Sequence, residues 1–150
     1  LSYLISDYKN PKKINKKTKA HVVAYDTCIG KRASNDYSIS KEKDCSEILE
    51  KQVISLMTVS DFAMASADLE CNSTNSRSCR NYNYLFDVAS ATWTSNSIVD
   101  NTYEALYISD GLQGSQRANI YNAYNYVIYI DGNELYQGGL GTEENPYIIN

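Results

Sequence analysis

The chain has 150 residues, of which 43% are hydrophobic and 21% charged, as expected for one globular domain with a buried core. Its net charge of −4 is uneven: residues 1–32 carry eight basic side chains against two acidic ones, and residues 33–150 carry six against sixteen. A predominantly acidic body without a basic groove argues against a nucleic-acid-binding domain.

The N-terminal part is basic, and we treat the chain as a single globular ectodomain, 1–150, in which residues 1–19 form a basic segment or linker. Leu1–Tyr8 fits a short helix or a strand equally well. Lys9–Lys19 contains Pro11 and six lysines, which is more typical of a solvated segment than of a membrane or nucleic-acid contact. No signal peptide or membrane span is recognisable, so we expect any export signal or anchor helix to lie upstream.

The next predicted elements lie around the first two cysteines. The β-branched run Ala20–Tyr25 predicts a strand. Thr27–Asp44 is polar and irregular, which predicts a loop. Asp44–Glu47 resembles a capping box, so a short helix is expected over Glu47–Gln52.

The middle of the chain predicts a strand that leads into a helix. Val53–Thr58 has strand composition, and Thr58–Asp61 fits the capping-box pattern. Phe62–Ala67 is then expected to be helical. A polar loop over Cys71–Cys79 follows, and Ala91–Thr94 predicts a strand that carries the only tryptophan.

The last fifty residues predict an antiparallel sheet. Tyr103–Ser109 alternates loosely and ends at Asp110-Gly111. Ile120–Ile130 is rich in tyrosine and β-branched residues and reaches Asp131-Gly132, the strongest short-range hairpin signal. Glu134–Tyr136 is the expected returning strand. With two short helices early and a twisted antiparallel sheet late, the fold class is α+β.

The C-terminal residues 138–150 combine turn residues with an apolar ending. Glycines and Asn145-Pro146 indicate turns. Tyr147–Ile149 is therefore predicted to be a short closing strand that pairs with another segment.

The four cysteines form two pairs that are close in sequence, Cys28 with Cys45 and Cys71 with Cys79. Neither pair has C-x-x-C spacing, and a single histidine leaves few further ligands for zinc. We expect two local disulfides, each worth roughly 2–4 kcal/mol, although four cysteines allow three pairings. Disulfides indicate an oxidising compartment outside the cytoplasm; four reduced cytosolic thiols are the alternative.

Four segments in this order resemble a known family: residues 53–65 (VISLMTVSDFAMA), 79–86 (CRNYNYLF), 91–95 (ATWTS) and 138–149 (GGLGTEENPYII). The order resembles the C-terminal ectodomain of prepilin-like and other surface-exposed proteins of Gram-positive bacteria. More broadly it is similar to the C-type-lectin-like fold shared with formylglycine-generating enzymes and their non-enzymatic relatives. The resemblance covers about residues 20–150 and implies that fold and an extracellular location.

Two departures from the family pattern limit what the resemblance implies. The strand before the final hairpin usually contains Arg-Pro, and Tyr124–Ile130 stands in its place without it. The catalytic cysteine pair and the metal-binding pattern of formylglycine-generating enzymes have no matching residues here. The resemblance therefore implies no enzymatic activity.

Residues suited to catalysis or to a cofactor are few. The only histidine, His21, lies in an apolar run, where packing or an edge-strand position is more common than a catalytic role. No glycine-rich loop precedes a helix, so a phosphate site is not indicated. The acidic residues at 131–134 and 143–144 fit solvated turns better than Ca²⁺ ligands. We therefore expect no catalytic residue, metal or cofactor.

The candidate ligand-binding site is a stretch of alternating tyrosine and asparagine in a chain with 14 tyrosines. Tyrosine rings stack on sugar faces while tyrosine and asparagine exchange hydrogen bonds with them. The alternative is a half-buried strand whose outer face contacts solvent. The abundance of tyrosine and asparagine can also reflect nucleotide bias in an AT-rich genome. The predicted ligand-binding residues are Asn119, Tyr121, Asn122, Tyr124, Asn125 and Tyr126.

The sequence thus predicts an extracellular, non-enzymatic surface module: the head domain of a pilin-like or adhesin-type protein on the cell surface or in a pilus. Expected partners are other pilin or surface subunits, with membrane attachment only through an upstream helix. The alternative is a soluble lectin-like domain that binds glycan or host protein through residues 119–126. An enzyme on the formylglycine-generating scaffold is the least favoured hypothesis.

Overall fold

The computed structural model describes residues 9–10, 16–86, 91–131, 136–139, 145 and 148–149, and the fold is α+β, as predicted. The described elements in chain order are α1 (Lys16–Ala20), β1 (Tyr25–Cys28), β2 (Lys31–Arg32), α2 (Lys41–Asp44), β3 (Ile48–Gln52), β4 (Ser55–Leu56), α3 (Val59–Met64), a 3₁₀ turn (Arg77–Arg80), β5 (Thr92–Ile98), β6 (Asn101–Ser109), β7 (Leu112–Arg117), β8 (Ala123–Tyr124), β9 (Tyr126–Val127), β10 (Tyr136–Gly138) and β11 (Ile148–Ile149).

The main sheet is centred on β5, β6 and β7, which form an antiparallel meander. Asp110-Gly111, where the alternating run was expected to end, joins β6 to β7, and these residues have φ angles of 51° and 77°. Positive φ at both central residues is the geometry of a type I′ hairpin, whose twist matches that of the strands. The other edge of β5 holds two parallel partners, β2 near its end and β8 near its start.

The apolar core lies between α3 and the inner face of this sheet. Along β5 the side chains alternate between buried and half-buried positions, as expected for a strand with one face in the core. Leu106 and Ile108 of β6 join the same cluster as Phe62 of α3. The capping box is confirmed: the Thr58 hydroxyl accepts from Asp61 N–H, and the Asp61 carboxylate accepts from Thr58 N–H, at 3.0 Å each.

Both predicted disulfides are confirmed, Cys28–Cys45 and Cys71–Cys79, and no described cysteine is free. Cys79 is fully buried in the core cluster, so the second bridge fixes its loop to the core. Two bridges fit an oxidising environment outside the cytoplasm. None of the helices within the described ranges is long and apolar enough to span a membrane.

The predicted helix over Glu47–Gln52 is wrong: Ile48–Gln52 is strand β3, antiparallel to β1. The bridge from Cys28 to Cys45 places the residues after Cys45 beside β1, where Cys28 faces Ile48 in the register. Ladder hydrogen bonds with β1 are then available to a segment too short to form a stable helix alone.

The predicted capping role of Asp44 is also wrong, because Asp44 ends α2 and belongs to a buried polar network. Ser40 is the N-cap of α2. Asp44 and Arg32 are each 1% exposed, and Arg32 Nη1 donates to Asp44 Oδ1 at 2.8 Å. Asn96 Nδ2 donates to the same oxygen at 3.1 Å, and Ser60 N–H donates to Asp44 Oδ2 at 3.2 Å. The network therefore joins the first disulfide loop to α3 and β5.

Asp36 extends this network towards the surface. Burial acts to raise the pKa of the Asp36 carboxyl, but hydrogen bonds from Lys43 and from the Ser38 side chain and backbone outweigh it. With the nearby positive charge of Arg32, they hold the pKa well below its usual value. Arg32 also donates to the Ser38 backbone oxygen.

Several predicted strands are shorter or divided in the structure. The predicted strand Ala20–Tyr25 contributes one bridge, from Val22 to Ile130, and β1 begins only at Tyr25. Val53–Thr58 reduces to β4, which pairs with β9. The predicted strand Ile120–Ile130 divides into β8, β9 and that bridge, because its successive parts pair with different partners.

At the two ends, the described residues test only part of the predictions. The closing strand is confirmed over Ile148–Ile149, which pairs antiparallel with Tyr136–Gly138. Leu1–Tyr8, the hairpin residues 132–135 and the acidic residues 143–144 lie outside the described residues. The end of the basic segment, Lys16–Ala20, is a short exposed helix in which no residue is buried.

Candidate functional site

A cleft of about 650 Å³ opens between β1 and residues 126–129, and we call it the tyrosine cleft. Its volume is within the range of small-molecule pockets, roughly 300–1,000 Å³. Residues of α3 form part of its lining. Four tyrosines also line it: Tyr25, Tyr84, Tyr126 and Tyr129.

The walls of the cleft meet at one end and separate towards the other. Val23 N–H donates to the Tyr129 carbonyl at 3.0 Å, and the rings of Tyr25 and Tyr129 stack with centroids 4.3 Å apart. Beyond this contact the two chain segments take different partners: β1 pairs with β3, and β9 pairs with β4. The cleft lies between the diverging segments.

The first disulfide is part of the wall, since Cys28 and Cys45 both line the cleft. Asp44 also borders it, and this residue is held by the buried network. The wall is therefore tied to the body by one covalent bond and several buried hydrogen bonds. A ligand entering the cleft would meet a largely preformed site, which lowers the entropic cost of binding.

The charged groups of the cleft are mainly acidic. Asp26 Oδ1 accepts from the Lys51 backbone N–H at 3.0 Å. Asp61 Oδ1 lies 3.7 Å from the ammonium nitrogen of Lys41, and both side chains are substantially exposed. Two carboxylates against one ammonium group leave this exposed part of the cleft with a negative balance, which favours a positively charged group in a ligand.

The tyrosine hydroxyls are available to a ligand. None of the four hydroxyls that line the cleft has a hydrogen-bond partner among the described residues. Tyr84 is 76% exposed and Tyr25 54% exposed. A tyrosine can offer a ring face, a donor and an acceptor at once, so the cleft combines apolar and polar recognition.

The structure brings together only part of the predicted ligand-binding stretch. Tyr124, Asn125 and Tyr126 line a hollow of about 410 Å³ with residues 84–86. This hollow adjoins the tyrosine cleft, because Tyr84 and Tyr126 line both. These residues therefore extend the cleft along β8 and β9.

The other three predicted residues lie elsewhere or face solvent. Asn119 lines a separate hollow with residues 101–104 and Arg117. Tyr121 is 98% exposed, and Asn122 is half-buried. The six residues therefore do not form one site, and whether any of them binds a ligand remains a prediction.

Sequence reasoning missed the other side of the cleft. Tyr25 and Asp26 lie on β1, and Asp61 lies on α3. Nothing local in the sequence marks these residues as neighbours of Tyr129. The only local signal was the predicted strand Ala20–Tyr25, and its sequence does not specify which distant segment it pairs with.

His21 is the residue that the sequence offered as a possible general base. His21 is half-buried, its carbonyl accepts from Asp131 N–H at 3.1 Å, and it does not line the cleft. No group of three or more His, Cys, Asp and Glu suited to a metal is present in the described parts of the chain.

Comparisons of the chain with protein-family models, with curated proteins and with solved structures found no match. The resemblance to prepilin-like ectodomains and to the C-type-lectin-like fold therefore stays a prediction. The assignment of a function rests on the disulfides, the buried network and the tyrosine cleft.

Proposed function

We propose that this chain is a non-enzymatic recognition module that works outside the cell, as the head domain of a pilin-like or adhesin-type surface protein. The observation that carries the proposal is a tyrosine-lined cleft whose wall contains a disulfide, Cys28–Cys45. Exposed tyrosines on a rigid frame are typical of recognition surfaces, because they give large contact area at low entropic cost.

The cleft is better suited to binding than to catalysis. Both carboxylates have local structural tasks, Asp26 with the Lys51 N–H and Asp61 in the cap of α3. Among the described residues that line the cleft there is no histidine to act as a general base near neutral pH. The proposed relation to the C-type-lectin-like fold is supported by short helices that precede an antiparallel sheet.

The proposed partners are other pilin or surface subunits, and membrane attachment would be supplied by a helix upstream of this chain. The head would then project from the cell or filament, with both disulfides oxidised. Disulfides form and persist in that setting because no glutathione or thioredoxin pool keeps the thiols reduced.

The test is the location and redox state of the protein in cells that make it. We expect antibody to label the surface of intact cells or isolated filaments, and non-reducing mass spectrometry to show all four cysteines oxidised. Labelling confined to the cytoplasm, together with four free thiols, would contradict the proposal. A cytoplasmic protein of known abundance, followed in the same fractions, controls for lysis.

A lectin-like domain that binds glycan or host protein is the second candidate. The observation that favours it is the hollow lined by Tyr124, Asn125 and Tyr126 beside the tyrosine cleft. We expect binding on a glycan array that is lost in the double variant Tyr124→Ala/Tyr126→Ala and kept in Tyr121→Ala, which removes a tyrosine outside both hollows. Equal binding by all three proteins would argue against this site.

A further inference from the structure

We infer that the tyrosine cleft accepts an extended peptide carrying a lysine or arginine, which adds as a strand between β1 and residues 126–129. This inference concerns the ligand of the cleft and does not depend on where the protein is located. It follows from the backbone that lines the cleft, from its charge and from an unpartnered hydroxyl in its wall.

The first observation is that backbone, and not only side chains, borders the cleft. Residues 25–28 on one wall and 126–129 on the other are each four consecutive residues. Successive side chains of a strand point to opposite faces, so a cleft lined by all four residues of β1 and both residues of β9 is bordered by the edges of these strands. Within the described chain, β1 pairs only with β3 and β9 only with β4, which leaves one edge of each strand without a strand partner.

Unpaired strand edges are templates for an added strand, whose main-chain hydrogen bonds provide affinity. A strand inserted between two others needs them about 10 Å apart, twice the usual interstrand spacing. Because the Tyr129 carbonyl already accepts from Val23 N–H, about three residues of each wall are open, and they correspond to about three residues of peptide, since extended chain advances about 3.3 Å per residue. The contact between Val23 and Tyr129 closes one end, so the peptide would run from that end towards the opening.

The second observation is the charge of the cleft. Asp26 uses one carboxylate oxygen for the Lys51 N–H, and no described group occupies the other. Asp61 is offset in part by Lys41. A basic side chain placed near Asp26 would gain an opposite charge and, beside Tyr25, the face of an aromatic ring. An acidic peptide would meet unfavourable charge at the same place.

The third observation is an orphaned polar group in the wall. Thr27 is 3% exposed and lines the cleft, and its hydroxyl has no partner within the described residues. A buried hydroxyl without a hydrogen bond is costly. A small backbone shift on peptide binding would give this hydroxyl a carbonyl or amide partner, which an apolar ligand could not supply.

The test uses fluorescence polarisation with the full oxidised chain and three labelled hexapeptides of alternating threonine and valine. The first has a central lysine, the second a glutamate at that position, and the third is the lysine peptide with alternate backbone amides N-methylated. We expect the lysine peptide to bind, the glutamate peptide to bind about tenfold or more weakly because of like charge, and the methylated peptide to lose binding similarly because ladder hydrogen bonds are blocked.

Two isosteric substitutions localise the effect. Asp26→Asn keeps an oxygen for the Lys51 N–H, and we expect it to weaken the lysine peptide about two- to fivefold, as for an exposed ion pair. Asp100→Asn changes an exposed carboxylate outside the cleft and should leave the affinity unchanged. On binding, amide hydrogen exchange should slow at residues 25–28 and 126–129.

The inference is overturned if the lysine peptide fails to bind at millimolar concentration or if the methylated peptide binds equally well. It is also overturned if an oligosaccharide, rather than peptide, slows exchange at the two walls. That last result would instead support the lectin-like candidate and so separates the two hypotheses.

Discussion

The buried network around Asp44 provides the sharpest test of how this fold is held together, through the substitution Asp44→Asn. The change removes one negative charge and almost no volume. Both carboxylate oxygens accept from N–H groups, Oδ1 from Arg32 and Asn96 and Oδ2 from the Ser60 backbone. An amide at this position must therefore turn its own N–H₂ towards a donor in either orientation.

The expected cost follows from removing the nearest counter-charge of buried Arg32, since the other carboxylate, that of Asp36, lies 3.5 Å from Nη2 and Asp44 only 2.8 Å from Nη1. Arg32 and Asp44 are each 1% exposed, so solvent cannot compensate for the lost partner. Removing one member of such a pair costs about 3–5 kcal/mol, a large fraction of the roughly 5–15 kcal/mol that stabilises a domain. With a urea slope of about 2 kcal/mol per molar, the unfolding midpoint should fall by about 1.5–2.5 M.

The assay is equilibrium urea unfolding of the oxidised protein followed by tyrosine and tryptophan fluorescence. Asp110→Asn is the matched control: it removes a carboxylate that pairs with Arg80 but is about half exposed. We expect the control to cost less than about 1 kcal/mol. Equal midpoints for Asp44→Asn and Asp110→Asn would refute the argument that the network holds the first disulfide loop to the core.

Three further predictions concern other parts of the fold. Removing the first bridge with Cys28→Ser/Cys45→Ser should lower the unfolding free energy in urea by about 3 kcal/mol, given its sequence separation of 17; an unchanged midpoint would contradict this. A Cβ at Gly114 would lie 2.6 Å from the Tyr107 ring, so Gly114→Ala should cost about 1–3 kcal/mol by overpacking, and the cost should vanish in a Tyr107→Ala background if the ring is its cause. Because the folded pKa of Asp36 is depressed, the stability that its carboxylate provides is complete above the unfolded pKa of about 3.9 and is lost as the pH falls below that value. Asp36→Asn should therefore reduce the fall in unfolding free energy between about pH 5 and 2. An unchanged fall over this pH range would show that Asp36 does not cause it.

Local signals in the sequence predicted local structure well. The hairpin at Asp110-Gly111 was predictable because few residue pairs tolerate two positive φ angles. The cap of α3 was predictable because Thr58 and Asp61 satisfy each other within one turn. The α+β class followed from elements of this kind, each specified by a few consecutive residues.

The errors arose where a distant partner decides the structure. Asp44 has the residue type and spacing of a helix cap, and only the proximity of Arg32 and Asn96 assigns it to a buried pair. Ile48–Gln52 has no strong strand pattern and becomes β3 because a disulfide holds it beside β1. A pattern search over single segments cannot weigh such long-range pairings, which override weak intrinsic propensity.

The candidate site was even less predictable, because the cleft lies between two segments that are far apart in the sequence, and no single segment specifies it. One of its four tyrosines was predicted: Tyr126 was expected to contact a ligand and lines the cleft, and Tyr124, also predicted, lines the adjoining hollow. Tyr25 lines the cleft only because Val23 is hydrogen-bonded to Tyr129, which places the Tyr25 ring against the Tyr129 ring at the edge of the cleft.

The arrangement of the first disulfide connects stability to recognition. Cys28 and Cys45 line the cleft, and Asp44, next to Cys45, is anchored by Arg32. The disulfide and the Arg32–Asp44 ion pair stabilise the same wall in different ways. The disulfide restricts the unfolded chain, and the ion pair satisfies buried polar groups in the folded protein. Loss of either should therefore loosen the wall before the core around Phe62 is exposed. Peptide affinity should then fall in Cys28→Ser/Cys45→Ser under conditions where the far-ultraviolet circular dichroism spectrum is still that of the native protein. The reason is that binding must order a mobile wall, and this ordering weakens the binding free energy.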